Sequence, residues 1–251
     1  LYSNGQIEEA IEGVEALIKD YPNEASLYNI SGAFYQAIGQ LNESVKTFEK
    51  AVTINPDYPE AHYNLGVTLQ QLGQFDAAIK SYEQALAIKH AYPDAHNNLG
   101  NIFLNLRQLD AALDHFELAV AFKPDYAEAH NNLGIVLMEL GHDDVAIKSF
   151  EKAVAINPDF ALPYNNLGIT FQKLGQMDTA LESYKKSVAI KPDYAIAHHN
   201  LSALKIYKAN DAQITQMQSL LSRNDLNLSD RMHLCFALAK VNEDLGEQDK
   251  L

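Results

Sequence analysis

The chain is poor in cysteine, in basic residues and in long apolar runs, and each shortage removes a class of function. Cys235 is the only cysteine. No disulfide can form within the chain and no thiolate pair can hold zinc, so a reducing, cytoplasmic setting is expected. Lys and Arg number 19 against 33 Asp and Glu, a formal charge of -14 with a pI near 5.0. A surface of that sign repels phosphate backbones and anionic headgroups, so neither nucleic acid nor a membrane is expected as a partner. No apolar run approaches the roughly 20 residues of a membrane-spanning helix, and no signal-like segment opens the chain. There is also no Gly-rich phosphate loop, no HExxH and no GxSxG. These 251 residues are therefore expected to be non-enzymatic, with no cofactor and no metal.

What is present is repetition. Gly32, Gly66, Gly100, Gly134 and Gly168 stand 34 residues apart. Pro56, His90, Pro124, Pro158 and Pro192 keep the same interval, as do Ala78, Ala112, Ala146 and Ala180, and the rings Phe48, Tyr82, Phe116, Phe150 and Tyr184. A fixed period of this length predicts an all-α solenoid of stacked helical units rather than a globule around one core.

Residues 59–92 illustrate the unit. His62, Leu65, Gly66 and Leu69 share one face of a first helix that ends near Leu72-Gly73-Gln74, where glycine can take a left-handed cap. Phe75, Ala78, Ile79, Tyr82, Ala85 and Leu86 form the stripe of a second helix, which the Pro column (here His90) closes. There are five full units: 25–58, 59–92, 93–126, 127–160 and 161–194. Residues 1–24 read as the end of an earlier unit, with Gly5 at its turn and Pro22 at its close. Its apolar Ile7, Ile11, Val14 and Leu17 are then available to a second copy of the chain, a route to a homo-oligomer. Residues 195–228 read as a drifting sixth unit: Ser202 replaces the helical glycine, Ala209 the turn glycine and Ile214 the small alanine. In 229–251, Ser229 is expected to cap a helix from Asp230 to Leu245, Cys235 to sit in its core, and Glu247–Leu251 to open another helix.

Two full units break their own columns. Arg107 takes the place of the turn glycine, so that turn must relax or accept strain. Asp143 takes the place of Leu41, Phe75, Leu109 and Met177, and Val145 is expected to rotate inward in compensation.

Histidine recurs at His62, His96, His130 and His198. Equivalent helices of a stack lie roughly 15–20 Å apart, too far for a shared metal, so the rings are expected to pack against the preceding unit. Asparagine recurs at Asn64, Asn98, Asn132, Asn166 and Asn200, two residues before each glycine or its replacement. Helix propensity does not explain such a row. Two explanations stand side by side. Either each amide holds the backbone of an extended peptide, or each ties its helix to the next.

The columns together resemble the tetratricopeptide repeat, a helix–turn–helix unit of 34 residues. The resemblance implies a right-handed superhelix whose first helices line a concave groove, and a role as a scaffold for a partner protein or an extended peptide. The Asn row is most similar to the repeats of O-linked N-acetylglucosamine transferase, where such a ladder holds peptide backbone. Carried over, that groove comprises Asn64, Asn98, Asn132, Asn166 and Asn200, flanked by Tyr63, Asn97, Asn131, Asn165, Asn101, Gln71, Asn105, Met138 and Lys173. The faces around it carry Glu60, Asp94 and Glu128, with Lys173 nearly alone, so a neutral to basic segment fits better than an acidic tail. The stretch from about His199 to Leu251 also resembles bacterial chains in which such repeats precede a sulfotransferase-like domain. That resemblance implies an alternative role as the substrate-recruiting arm of a larger transferase.

Overall fold

A computed structural model of the chain describes residues 4–247. Among them are fourteen α-helices and no strand. The chain divides into two compact units, one up to Pro124 and one from Asp125, and each is an all-α stack of helical repeats.

The first unit holds α1 (Asn4–Asp20), α2 (Ala25–Ala37), α3 (Leu41–Ile54), α4 (Pro59–Gln71), α5 (Phe75–Ile88), α6 (Pro93–Asn105) and α7 (Leu109–Phe122). The second holds α8 (Ala127–Glu139), α9 (Asp143–Ile156), α10 (Ala161–Lys173), α11 (Met177–Ile190), α12 (Ala195–Leu204), α13 (Ala212–Leu221) and α14 (Leu228–Asp244). Five close hairpins form: α2 with α3, α4 with α5, α6 with α7, α8 with α9, and α10 with α11.

One contact recurs in every hairpin. The glycine of the first helix lies flat against the ring of the second. A Cβ added at Gly32, Gly66, Gly100, Gly134 or Gly168 would stand 2.7, 2.8, 2.6, 2.5 or 2.4 Å from the ring of Phe48, Tyr82, Phe116, Phe150 or Tyr184. All five rings are at most 1% exposed. Where the ring is tyrosine, its hydroxyl needs an acceptor, and a glutamine twelve residues earlier supplies one. Tyr82 Oη donates to Gln70 Oε1 at 2.9 Å and Tyr184 Oη to Gln172 Oε1 at 2.8 Å. Burial raises the phenol of Tyr184 to about 12. Opposite Phe116 and Phe150 the same place is held by Leu104 and Met138.

The turns are equally uniform. Gly39, Gly73, Gly141 and Gly175 take φ of 77°, 74°, 82° and 76°. Arg107 accepts the same conformation at φ 61° rather than relaxing the turn. Its hydrogen bonds explain why. Arg107 N–H reaches Leu104 C=O and Gln108 N–H reaches Phe103 C=O, the pair that Gly73 and Gln74 make with Gln70 and Leu69. These bonds satisfy the last carbonyls of the helix and hold the strained residue in place.

Two expectations fail at the N-terminal end, and at the other end the drift of the sixth unit takes a definite form. α1 starts at Asn4, so Gly5 lies within a helix and not at a turn. The α1 stripe turns inward onto α2: Ile11 is buried and Ile7 and Val14 are half-buried, while Leu17 remains exposed. In the sixth repeat, α12 stops after ten residues and packs chiefly along α14 instead of forming a close hairpin with α13. The glycine–ring contact is missing there on both sides, since Ser202 and Gln218 occupy the two places. Instead, Tyr207 is buried and its N–H donates to Asp244 Oδ2.

α14 also departs in detail. Its N-cap is Asn227, whose side chain accepts from Asp230 N–H, and not Ser229. Its buried face is Leu234, Ala237 and Val241, which leaves Cys235 exposed one position off the seam. Most of the expected helix at Glu247–Leu251 lies outside the described residues.

Two outcomes test this packing. Gly134→Ala should lower stability by about 2 kcal/mol, as overpacking typically does, whereas Gly13→Ala, open on all sides, should be neutral or stabilising. Arg107→Gly should gain about 1 kcal/mol by removing the left-handed penalty. Urea unfolding of the three variants measures both.

Candidate functional site

The first helices α2, α4 and α6 in the first unit, and α8, α10 and α12 in the second, carry the expected site. Neighbouring first helices touch: α2 with α4, α8 with α10, and α10 with α12. Across each of these seams runs a hydrogen bond between side chains 35 residues apart. Asn64 Nδ2 donates to Asn29 Oδ1 at 3.0 Å and Asn166 Nδ2 to Asn131 Oδ1 at 3.0 Å. Asn200 Nδ2 donates to Asn165 Oδ1 at 2.9 Å, and Asn98 Nδ2 reaches the hydroxyls of Tyr63 and Tyr82, both at 3.3 Å. Asn131 Nδ2 in turn donates to Asn132 Oδ1 at 3.3 Å.

The amide row is thus a set of rungs within each unit, and the tying role is visible in the geometry. The flanking column plays a different part from the one expected. Asn97, Asn131 and Asn165 are only 1–2% exposed, so their side chains do not line an open groove; Asn131 and Asn165 lie beneath it as acceptors. Asn29, absent from the expected site, accepts the first rung. The spacing of 35 rather than 34 is the signal that points to it. At the far end the pattern stops: position 234, 35 residues after His199, is a buried Leu, and His199 Nδ1 is buried with no hydrogen-bond partner.

Above the rungs lie the accessible members of the set. Gln71, Asn105 and Lys173 are exposed, and Asn64, Asn98, Asn101, Met138, Asn166 and Asn200 are half-buried, while Asn132 is buried. Gln71 Oε1 accepts from Gln36 Nε2 at 3.2 Å. Lys173 is engaged too: its Nζ stands 2.8 Å from Asp143 Oδ1. That pair explains Asp143. Its carboxylate sits in the otherwise apolar column because α10 ends in a lysine opposite it, and Val145 stays exposed instead of rotating in. Lys89 pairs likewise with Glu60 at 3.2 Å.

At three of its positions the histidine column fastens a first helix to the turn before it. His62 Nε2 lies 2.9 Å from Pro56 C=O, His96 Nε2 3.2 Å from His90 C=O, and His198 Nε2 2.9 Å from Pro192 C=O. A carbonyl only accepts, so these Nε2 atoms carry protons. Burial lowers the pKa of His96 and His198, so these two rings act as neutral donors.

Family models for the tetratricopeptide repeat match residues 32–106 and 136–175, and a second set matches 93–126 and 161–194. Together they span more than half of the chain. The chain belongs to the tetratricopeptide repeat family. Among solved structures it is similar to YrrB, described as a TPR protein with an unusual peptide-binding site. The two are 24% identical with a TM-score of 0.64 over 75% of this chain and 97% of that one. It is also similar to MamA of Desulfovibrio magneticus RS-1, at 23% identity and a TM-score of 0.62 over 68% and 97% of the two chains. PilF of Pseudomonas aeruginosa gives 19% identity and a TM-score of 0.71 over 89% and 97%. At these identities the likeness is one of fold. No curated protein matches the chain. Among the described residues no helix is long and apolar enough to cross a membrane.

The rungs yield a direct test. Asn166→Ala leaves the buried Asn131 Oδ1 without this donor and should lose about 1–2 kcal/mol. A double-mutant cycle with Asn131→Ala should return a coupling of about 1 kcal/mol, and additive losses would show that the contact carries no energy of its own.

Proposed function

We propose that the chain is a protein-interaction scaffold holding an extended polypeptide segment against the first helices of each unit. The observation that carries this reading is the half-exposed amide rung supplied by Asn64, Asn98, Asn166 and Asn200. A primary amide has two donors and an acceptor oxygen. The rung uses only part of that capacity, and what remains repeats at the interval of the stack. A polypeptide backbone offers complementary donors and acceptors at regular spacing, so a fixed row of amides suits it whatever its side chains. The peptide-binding site in YrrB's description supports the same class of ligand.

The charge of the face argues for a neutral to basic segment. Asp94 and Glu128 border the row, and Lys173 is already paired with Asp143, so among the described residues the row offers no cluster of cations to an acidic tail. The likeness to O-linked N-acetylglucosamine transferase repeats rests on the same amides. In such a setting the scaffold would present acceptor proteins to a catalytic domain outside these 251 residues.

Peptides selected from a displayed library against the full chain test the proposal. Asn105→Arg and Gln71→Arg add charge to exposed positions without touching the Gly–ring seams. Each should weaken a selected basic peptide at least tenfold, about 1.4 kcal/mol, with unchanged unfolding curves. Unchanged affinity in both variants would place the ligand elsewhere.

A further inference from the structure

Three positions of the first unit leave their repeat columns together. His90 stands where Pro56, Pro124, Pro158 and Pro192 stand, His115 where Thr47, Ser81, Ser149 and Ser183 stand, and Phe122 where Ile54, Ile88, Ile156 and Ile190 stand. All three converge on His96, which is 3% exposed. The His90 and His96 rings meet edge-on at 6.0 Å, and Phe122 lies 5.7 Å from His96 and 5.3 Å from His90. His115 stacks on Phe103 at 5.4 Å. The two Nδ1 atoms of His96 and His115 are 3.0 Å apart.

The protons can be assigned from the partners. His96 Nε2 donates to the carbonyl of His90, so a neutral His96 presents its lone pair at Nδ1. His115 must then supply Nδ1–H. A second proton on His96 would force His115 to move its own proton to Nε2 or set two N–H groups against each other across 3.0 Å, and either way would charge a ring that is 3% exposed. A second proton on His115 would place a cation on a half-buried ring packed against Phe103 and His96.

We propose that the His96–His115 pair is an acid-sensitive latch between α6 and α7: closed, it holds two neutral imidazoles against each other, and opening lets both take up protons. Release loosens α6, and with it the Asn98 rung to Tyr63. The latch is independent of what the groove binds.

The sign comes from burial. Desolvation lowers His115 to about 4, with His96 adding in the same direction, and lowers His96 as well. Two further ionisable groups face the pair. His90, from the loop before α6, disfavours charge on His96, while Asp114 of α7 favours it on His115. With folded values below the unfolded value of about 6.5, the unfolded chain binds more protons in between. Stability is therefore full above about 6.5 and falls as the pH drops toward 4.

The test uses the full chain. NMR titration of the imidazole resonances from pH 8 to 4 should show His115 still neutral at pH 5 and His96 titrating below the usual imidazole value. Urea unfolding at pH 7 and pH 5 should show the folded-to-unfolded ratio of the first unit falling on the order of tenfold more in the wild type than in His115→Ser, which restores the residue type of the column. A His115 that titrates near 6.5, or equal pH dependence in the two proteins, overturns the latch. If His115→Ser does not fold, the wild-type titration and the protection of α6 and α7 amides at the two pH values decide it. Protection unchanged between pH 7 and 5 counts against it.

Discussion

Within each hairpin, everything depends on the absence of one methyl group. The glycine of the first helix brings its backbone onto the face of an aromatic ring sixteen residues later, closer than any side chain would allow. The approach buries the ring and sets the distance between the helices. It also aligns the alanines that flank the ring, so Ala78 and Ala85, like Tyr82, are fully buried. The sixth repeat shows the effect of losing the contact. With Ser202 and Gln218 at the two places, α12 and α13 separate, and α14 takes over the side of α12. The repeat is thus better described as a glycine and a ring held at one distance than as a sequence motif.

The rungs act on a different scale. They join first helices of successive hairpins, and their geometry arises because the hairpins are alike. Identical spacing places an amide donor beside an acceptor 35 residues back at several seams. The same amides are the proposed contacts for a ligand, and that proposal would couple recognition to the spacing of the stack. A ligand that bonds to several rungs resists any change in that spacing, and a change in spacing removes several contacts together.

How much of this is legible in the sequence depends on what a column can reveal. Gly32 to Gly168, the rings and the turn glycines are readable because each repeats the same contact. The histidines are readable as structural, and their shared carbonyl partner explains why the column exists. The acceptor side of the ladder is not, because Asn131 and Asn165 repeat at the same interval as the rungs, and periodicity cannot distinguish a surface from a layer beneath it. Cys235 reads as buried because its neighbours are apolar on both sides. The helix turns 100° per residue, and the buried seam runs through Leu234 instead. His233 stands 34 residues after His199, and extending the register past residue 228 places Leu234 in the rung column.

The departures from the repeat obey a rule that single columns hide. Asp143 leaves its apolar column and Lys173 carries its column's only positive charge, and the two form an ion pair. Tyr82 and Tyr184 each donate to a glutamine twelve positions earlier, although Gln36 precedes Phe48 at the same interval, so the tyrosine needs the glutamine and not the reverse. Serine replaces glycine at 202 where the facing ring is absent. His90, His115 and Phe122 leave three columns and meet around His96. A buried polar or oversized group is destabilising alone and tolerable with a partner, so such changes persist in compensating sets. Their members do not lie 34 residues apart, because a partner sits across a seam and not at the equivalent place. Arg107 is the contrast. Its strain lies in its own backbone, where no neighbouring side chain can relieve it, and its turn hydrogen bonds hold it in place.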